Sequence, residues 1–310
     1  MLWWIMMKAI VFGVGRNFNI YIDKIANNYE VVGITDNDES KLLKFNNGIT
    51  INDIDTIEYD LIIITPVNYR EIYDQLLNIG IPNNKLMIWS NNPENTSEEI
   101  LGYRYWGQHC EDLILAAIFK MIGIKKPSYM NIGVNSPYEC SNTAFLYLNG
   151  CRGIDIEANP DIIDDIKKYR PDDTVINVGV AGKEGTMRFY VFGEKSRVNT
   201  FSLIEVESRG EKPKSHIDLE VTTLSKILAK YCNNSFPDFL DIDIEGLDYE
   251  VLRECNLKEN GPAVICVEVR KRDILKFDRL LTKYEYYMFC RIGENNIYVK
   301  NIYSEKLSHF

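Results

Sequence analysis

The chain has 310 residues, 45% of them hydrophobic and 26% charged, with a formal net charge of −10 and a pI near 5.0. This is ordinary globular composition, and the length suits about two domains. An acidic surface repels phosphate backbones and anionic lipid, which argues against nucleic acid as the main partner and against a membrane-surface role.

The opening MLWWIMM is apolar over only seven residues, with no basic stretch before it and no small-residue cleavage pattern. It reads as neither signal peptide nor membrane span, with Met6 or Met7 a candidate start. No later apolar run approaches the roughly 18 residues a span needs, so a cytoplasmic protein without membrane insertion is expected. Cysteines at 110, 140, 151, 232, 255, 266 and 290 are odd in number and form no CxxC pair. They read as free thiols of a reducing compartment, not as disulfides or a zinc site.

The first domain is expected over 1–92. KAIVFGVGR (8–16) is a buried strand running into glycines, NFNIYIDKIAN a helix, and YEVVGITDND (29–38) a strand ending on Asp36 and Asp38. YDLIIITP (59–66), NYREIYDQLLNIG (68–80) and KLMIW (85–89) continue the strand–helix–strand order, the signature of a parallel sheet. Gly13-x-Gly15 with Asp36 is half of a dinucleotide fingerprint, but position 18 is Phe where a third glycine belongs. This half binds a nucleotide or sugar nucleotide, or binds nothing and serves assembly. The polar NNPENTSEE (91–99) points to a linker, set at 93–107, with a helix starting at Thr96 or Ser97.

The second domain is expected over 108–310. QHCEDLILAAIFKMIG (108–123) has helical apolar spacing. The strands SYMNIGVNSP (128–137), RGIDIEANP (152–160) and TVINVGVAG (174–182) alternate with helices at 141–150 and 160–170. An excursion of strand-like pieces and loop covers 185–218, followed by a helix at 221–231 capped at Thr222 or Thr223. Then come DFLDIDIEG (238–246), a helix at 247–255, AVICVEV (263–269), a further helix and a closing hairpin. The order predicts a doubly wound, Rossmann-like sheet.

In such sheets ligands lie beyond the carboxyl ends of the strands. Glu157 follows Gly133 by 24 residues, and an acid there suits the two hydroxyls of a ribose. The loop GVNSP lacks the glycine spacing that cradles a pyrophosphate. A ligand with a ribose and no diphosphate fits, which favours S-adenosylmethionine over NAD.

YMNIGVNSP, GIDIEANP, NTFS, VTTLSKIL, DFLDIDIEGLDYEVL and VICVEV together resemble the successive motifs of the FkbM-type methyltransferase family, over about 105–270. The resemblance implies a class I methyltransferase fold, S-adenosyl-L-methionine as donor, and O-methylation of a sugar, glycan or glycan precursor, as in polysaccharide biosynthesis. It assigns Gly133 and Asn135 to the methionine part of the donor, Glu157 to the ribose, and Asn177 to the neighbourhood of the adenine. Asp243, Glu245 and Gly246 match the family's D-V-E-G signature beside the transfer point. The family has Asp where this chain has Asn131; Asn keeps the shape and one acceptor, so Asn131 stays a candidate donor residue without the charge.

If 238–246 is extended, Asp241, Asp243 and Glu245 share one face. Asp241, the deepest, reads as structural. Asp243 and Glu245 are the candidate catalytic residues, facing the sulfonium or accepting a hydroxyl proton. Two alternatives remain: they hold Mg²⁺, or Glu245 only caps the following helix. His109 either reaches the cleft or packs elsewhere; His216 and His309 read as surface residues. The stretch 207–218 is a candidate lid or a solvated loop, with Arg209, Lys212 and Lys214 available to an anionic acceptor. The competing function is a two-domain nucleotide- or sugar-nucleotide-binding protein without methyl transfer. A homo-oligomer stays open.

Overall fold

The computed structural model describes residues 6–66, 69–91, 93–100, 103–193, 196–258 and 260–308; the first five residues and His309 lie outside them. They form two compact units, Met1–Thr96 and Ser97–Phe310. Among the described residues no helix is long and apolar enough to cross a membrane.

In the first unit β1 (Lys8–Phe12), β2 (Glu30–Thr35), β3 (Leu61–Ile64) and β4 (Leu86–Ile88) make a parallel sheet of order β2-β1-β3-β4. All four residues of β3 are buried, as expected where helices cover both faces of a parallel sheet. α1 (Arg16–Asn28) puts Phe18 and Ile25 on the side of Val11 and Ile63; α2 (Arg70–Asn78) puts Leu76 on the side of Ile10 and Ile62. Gly13 has φ +100°, and a Cβ there would lie 2.4 Å from Pro66 Cγ, so only glycine fits. Asp36 accepts from the Val14 amide (2.6 Å) and the Asp38 amide (2.9 Å) and pairs with Lys41 (3.1 Å), so its carboxylate braces the glycine loop.

The second unit opens differently from expectation. No helix starts at Thr96 or Ser97; Glu98–Ile100 pairs with Tyr103–Tyr105 as a short antiparallel hairpin, and α3 (Glu111–Ile122) begins later. Asp112 fixes that start by accepting from the Trp106 amide (2.7 Å), while Glu111 accepts from the His109 amide (2.6 Å); acids in a first turn also suit the helix dipole.

The main sheet has seven strands. These are β5 (Tyr129–Ile132), β6 (Gly153–Glu157), β7 (Thr174–Asn177), and, after an intervening pair, β10 (Phe239–Ile242), β11 (Val264–Glu268), β12 (Tyr286–Ile292) and β13 (Asn295–Lys300). The spatial order is β12-β13-β11-β10-β5-β6-β7, with β13 antiparallel to both its neighbours and the rest parallel. The order reverses between β5 and β10, which makes their carboxyl ends the switch point. This is the doubly wound, Rossmann-like α/β sheet that the order of elements predicts. α4 (Ala144–Leu148) and α3 pack on one face, and α5 (Ile163–Tyr169) follows β6; α7 (Leu224–Tyr231), α8 (Asp248–Arg253) and α9 (Ile274–Thr282) pack on the other face. Thr223 caps α7 by accepting from the Lys226 amide.

The excursion is more ordered than the sequence suggested. β8 (Gly185–Val191) and β9 (Ser215–Thr222) pair antiparallel from Gly185 opposite Val221 to Val191 opposite Ser215, and Gly179–Val180 adds to β9 in parallel, as a separate small sheet. α6 (Leu203–Arg209) lies between them in sequence. Residues 215–218 are therefore strand, not lid loop: the alternating SHIDLEVT finds a partner in GTMRFYV, and His216 sits opposite Tyr190.

Candidate functional site

β10 stops at Ile242, so Asp241 alone of the three alternating acids lies on the strand; Asp243 and Glu245 occupy the turn beyond it. The turn is strained and firmly held. Glu245 has φ +55° and Gly246 φ +111°, the left-handed region that a non-glycine residue enters only when its surroundings insist. Asp248 accepts from the Ile244 amide (3.1 Å) and the Gly246 amide (3.0 Å), and Thr200 donates its hydroxyl to the Glu245 carbonyl (2.7 Å).

The β5 loop meets this turn backbone to backbone. Gly133 has φ +91°, and a Cβ on it would stand 1.8 Å from the Asp243 carbonyl oxygen, so any side chain would push the loops apart. Asn135, also left-handed at φ +50°, donates its amide to Glu157 (2.9 Å). Glu157 also accepts from the Asn159 amide (2.7 Å). Its carboxylate is tethered at the end of β6 yet still lines the adjoining cleft. Burial raises its pKa, and the surrounding amides oppose the rise.

Two clefts open here. The narrower, about 60 Å³, runs past Glu157 between an apolar wall of Ile162, Val178, Phe189 and Phe201 and the β5 loop. The wider, about 410 Å³, runs past His109, Glu139, Glu268, Arg270 and Glu294. They share Gly133, Asn135, Arg197, Asp243 and Glu245, so they meet at the carboxyl ends of β5 and β10. Asp243 opens to this junction. Its pKa is raised well above the usual carboxylate range by the surrounding protein and by Asp248, Glu245 and Asp241, with Arg197 opposing.

Glu245 is not a free base: Arg209 donates to it at 2.5 Å. Arg209, which the sequence offered to an anionic acceptor, is thus engaged with the turn. Glu268, at the end of β11, was read only as part of an apolar strand. It faces the wider cleft with its pKa pushed up to about 9 by burial and then by Asp243, Glu245, Asp248 and Glu294. The signal was present in VICVEV, an acid at the carboxyl end of an otherwise apolar strand, the same position as Asp243 relative to β10.

The remaining expected residues sit elsewhere. Asn131 lines neither cleft. It is buried in the sheet, where Asp155, Asn131, Asp241 and Cys266 occupy one rung across β6, β5, β10 and β11. Its amide reaches Thr143 (3.3 Å), and Asn142 reaches Asp241 (3.1 Å). A carboxylate at 131 would stand between two buried acids already pushed up to about 7, chiefly by burial. Asn is therefore the residue this rung tolerates. Arg170, fully buried, counters the acids through Asp155 (3.2 Å) and Asp173 (2.9 Å); nothing in IIDDIKKYR marked it as internal. Asn177 donates its side-chain amide to the carbonyls of Glu157 (2.8 Å) and Ala158 (3.1 Å), steadying the backbone under the narrow cleft. Among the described residues no group of three or more His, Cys, Asp or Glu is arranged to hold a metal ion.

The residues of the narrow cleft suit S-adenosylmethionine: a tethered carboxylate able to accept from ribose hydroxyls, a side-chain-free loop at Gly133, and an aromatic and aliphatic wall for a planar ring.

The model of the methyltransferase FkbM domain matches residues 131–288, and that of the C2185-like N-terminal domain matches residues 5–87. No curated protein matches the chain. Among solved structures, similarity extends to a candidate RNA methyltransferase from Pyrococcus horikoshii, with 11% identity over 63% of this chain and 82% of that one and a TM-score of 0.36. It extends also to a TehB-like S-adenosylmethionine-dependent methyltransferase from Corynebacterium glutamicum, with 10% identity over 75% and 96% of the two chains and a TM-score of 0.32.

Proposed function

The chain belongs to the FkbM family of S-adenosylmethionine-dependent methyltransferases, and we propose that it methylates a hydroxyl of a sugar, glycan or glycan precursor. The observation that carries this reading is the junction of the two clefts at Asp243: a ribose-suited acid lies on one side and an open polar cavity on the other. S-adenosylmethionine, when bound, supplies an electrophilic methyl group on a cationic sulfur. Glu157 and Asn135 hold the donor side, and Gly133 keeps the approach clear. Asp243 takes the proton of the acceptor hydroxyl in its ionised form, which the positive charge of the bound sulfonium favours. Glu245, paired with Arg209, acts as a positioning residue that fixes the turn and keeps Asp243 aimed at the junction.

The test is methyl transfer from labelled S-adenosylmethionine to a panel of sugars and sugar nucleotides, read as a methyl mass gain on the acceptor. A hydroxyl-linked gain that vanishes in Asp243→Asn supports the assignment. Transfer only to nitrogen or carbon would contradict it.

A further inference from the structure

The wider cleft carries an unbalanced set of charges. Three arginines line it, and each already faces a carboxylate: Arg197 with Glu139 (2.7 Å), Arg209 with Glu245 (2.5 Å), and Arg270 with Glu205. Arg209 Nε has no hydrogen-bond partner, but that atom is shielded from solvent. Against them stand Asp243, Glu268 and Glu294, none within ion-pair distance of a cation among the described residues. Asp243 borders both clefts, so a sulfonium in the narrow one accounts for its charge. Glu268 and Glu294 line only the wider cleft, and the donor leaves them unexplained.

We propose that the wider cleft selects a cationic acceptor, a hydroxyl-bearing small molecule with a protonated amine such as an amino sugar, whose ammonium lies against Glu268 and Glu294. The proposal rests on the methyltransferase reading above and narrows its substrate class. An anionic acceptor, phosphate or uronic acid, would meet the Glu294 carboxylate, would disfavour ionisation of Glu268 and would find no free guanidinium, the arrangement that rejects a partner by charge. The high pKa of Glu268 comes first from burial and then from the crowding of Asp243, Glu245, Asp248 and Glu294. An ammonium beside it favours the ionised form and restores the attraction.

The test titrates the full chain, saturated with S-adenosylhomocysteine, with D-glucosamine, D-glucose and D-glucuronate at about pH 7 and fixed ionic strength. The three share a ring and differ in charge. Glucosamine is expected to bind roughly tenfold more tightly than glucose, with glucuronate weakest, in line with a close charge contact in a partly desolvated site. In Glu268→Gln/Glu294→Gln the preference should shrink to within about twofold, with S-adenosylhomocysteine affinity unchanged as the check on folding. Equal responses to all three sugars, including none, or a preference for glucuronate, would overturn the proposal while leaving the methyltransferase reading in place. Failure of S-adenosylhomocysteine itself to bind would bring down both.

Discussion

Replacing Glu157 by Ala removes the acid most directly tied to the donor. The carboxylate accepts from the amides of Asn135 and Asn159 and faces the narrow cleft. Its ionised form would contribute charge-assisted hydrogen bonds to ribose hydroxyls, each worth about 1.5–3 kcal/mol. Water partly replaces them in the variant, so the net loss should be about 2–3 kcal/mol, or roughly 30- to 150-fold in Kd. The two amides left without acceptors add a stability cost of about 1–3 kcal/mol. The fold should survive, because the β5 loop keeps its main-chain bonds from Gly133 to Ile156 and from Asp243 to Ile132. Calorimetric titration with S-adenosylhomocysteine, with circular dichroism as the folding control, decides the matter. A folded variant with affinity within about threefold of the parent would refute the ribose assignment.

Three other outcomes follow from the same geometry. Asp243→Asn should lower turnover by a factor of about 10² or more while leaving S-adenosylhomocysteine affinity within a few-fold, as measured by single-turnover kinetics beside calorimetry; full turnover would exclude Asp243 as the base. Asn131→Asp should leave donor affinity unchanged but cost about 1–3 kcal/mol in urea unfolding, because it adds a third acid to the rung of Asp155 and Asp241. Glu268 has a folded pKa of about 9 against an ordinary value of 4.5. The folded state therefore binds the extra proton between these values, and stability falls as pH rises through that window. Between about pH 6 and 9 the melting temperature of Glu268→Gln should fall less than that of the parent; parallel curves would show that the carboxyl is not perturbed.

Much of the fold is legible in the sequence because its strands announce themselves physically. LIII and VICVE are continuous apolar runs, as a parallel strand covered on both faces requires, and the helices between them carry apolar stripes. The cleft positions of Gly133 and Glu157 are readable because the carboxyl ends of the strands border the ligand crevice in this architecture. What could not be read depends on partners distant in sequence. The rung that fixes Asn131 joins residues 155, 131, 241 and 266 through strand register. The pairing of Arg209 with Glu245 spans 36 positions and depends on where α6 ends. The expectation of three acids on one strand face failed at a local cause. Left-handed backbone at Glu245 and Gly246 turns the chain just past Ile242, and period-two alternation does not continue through such a turn.

Titration of the intact chain with S-adenosylhomocysteine tests the central claim most directly. Saturable one-to-one binding in the micromolar range, roughly 8 kcal/mol, weakened in Glu157→Ala, is the predicted result. The absence of saturable binding by the folded protein would contradict the donor site at the junction of β5, β6 and β10.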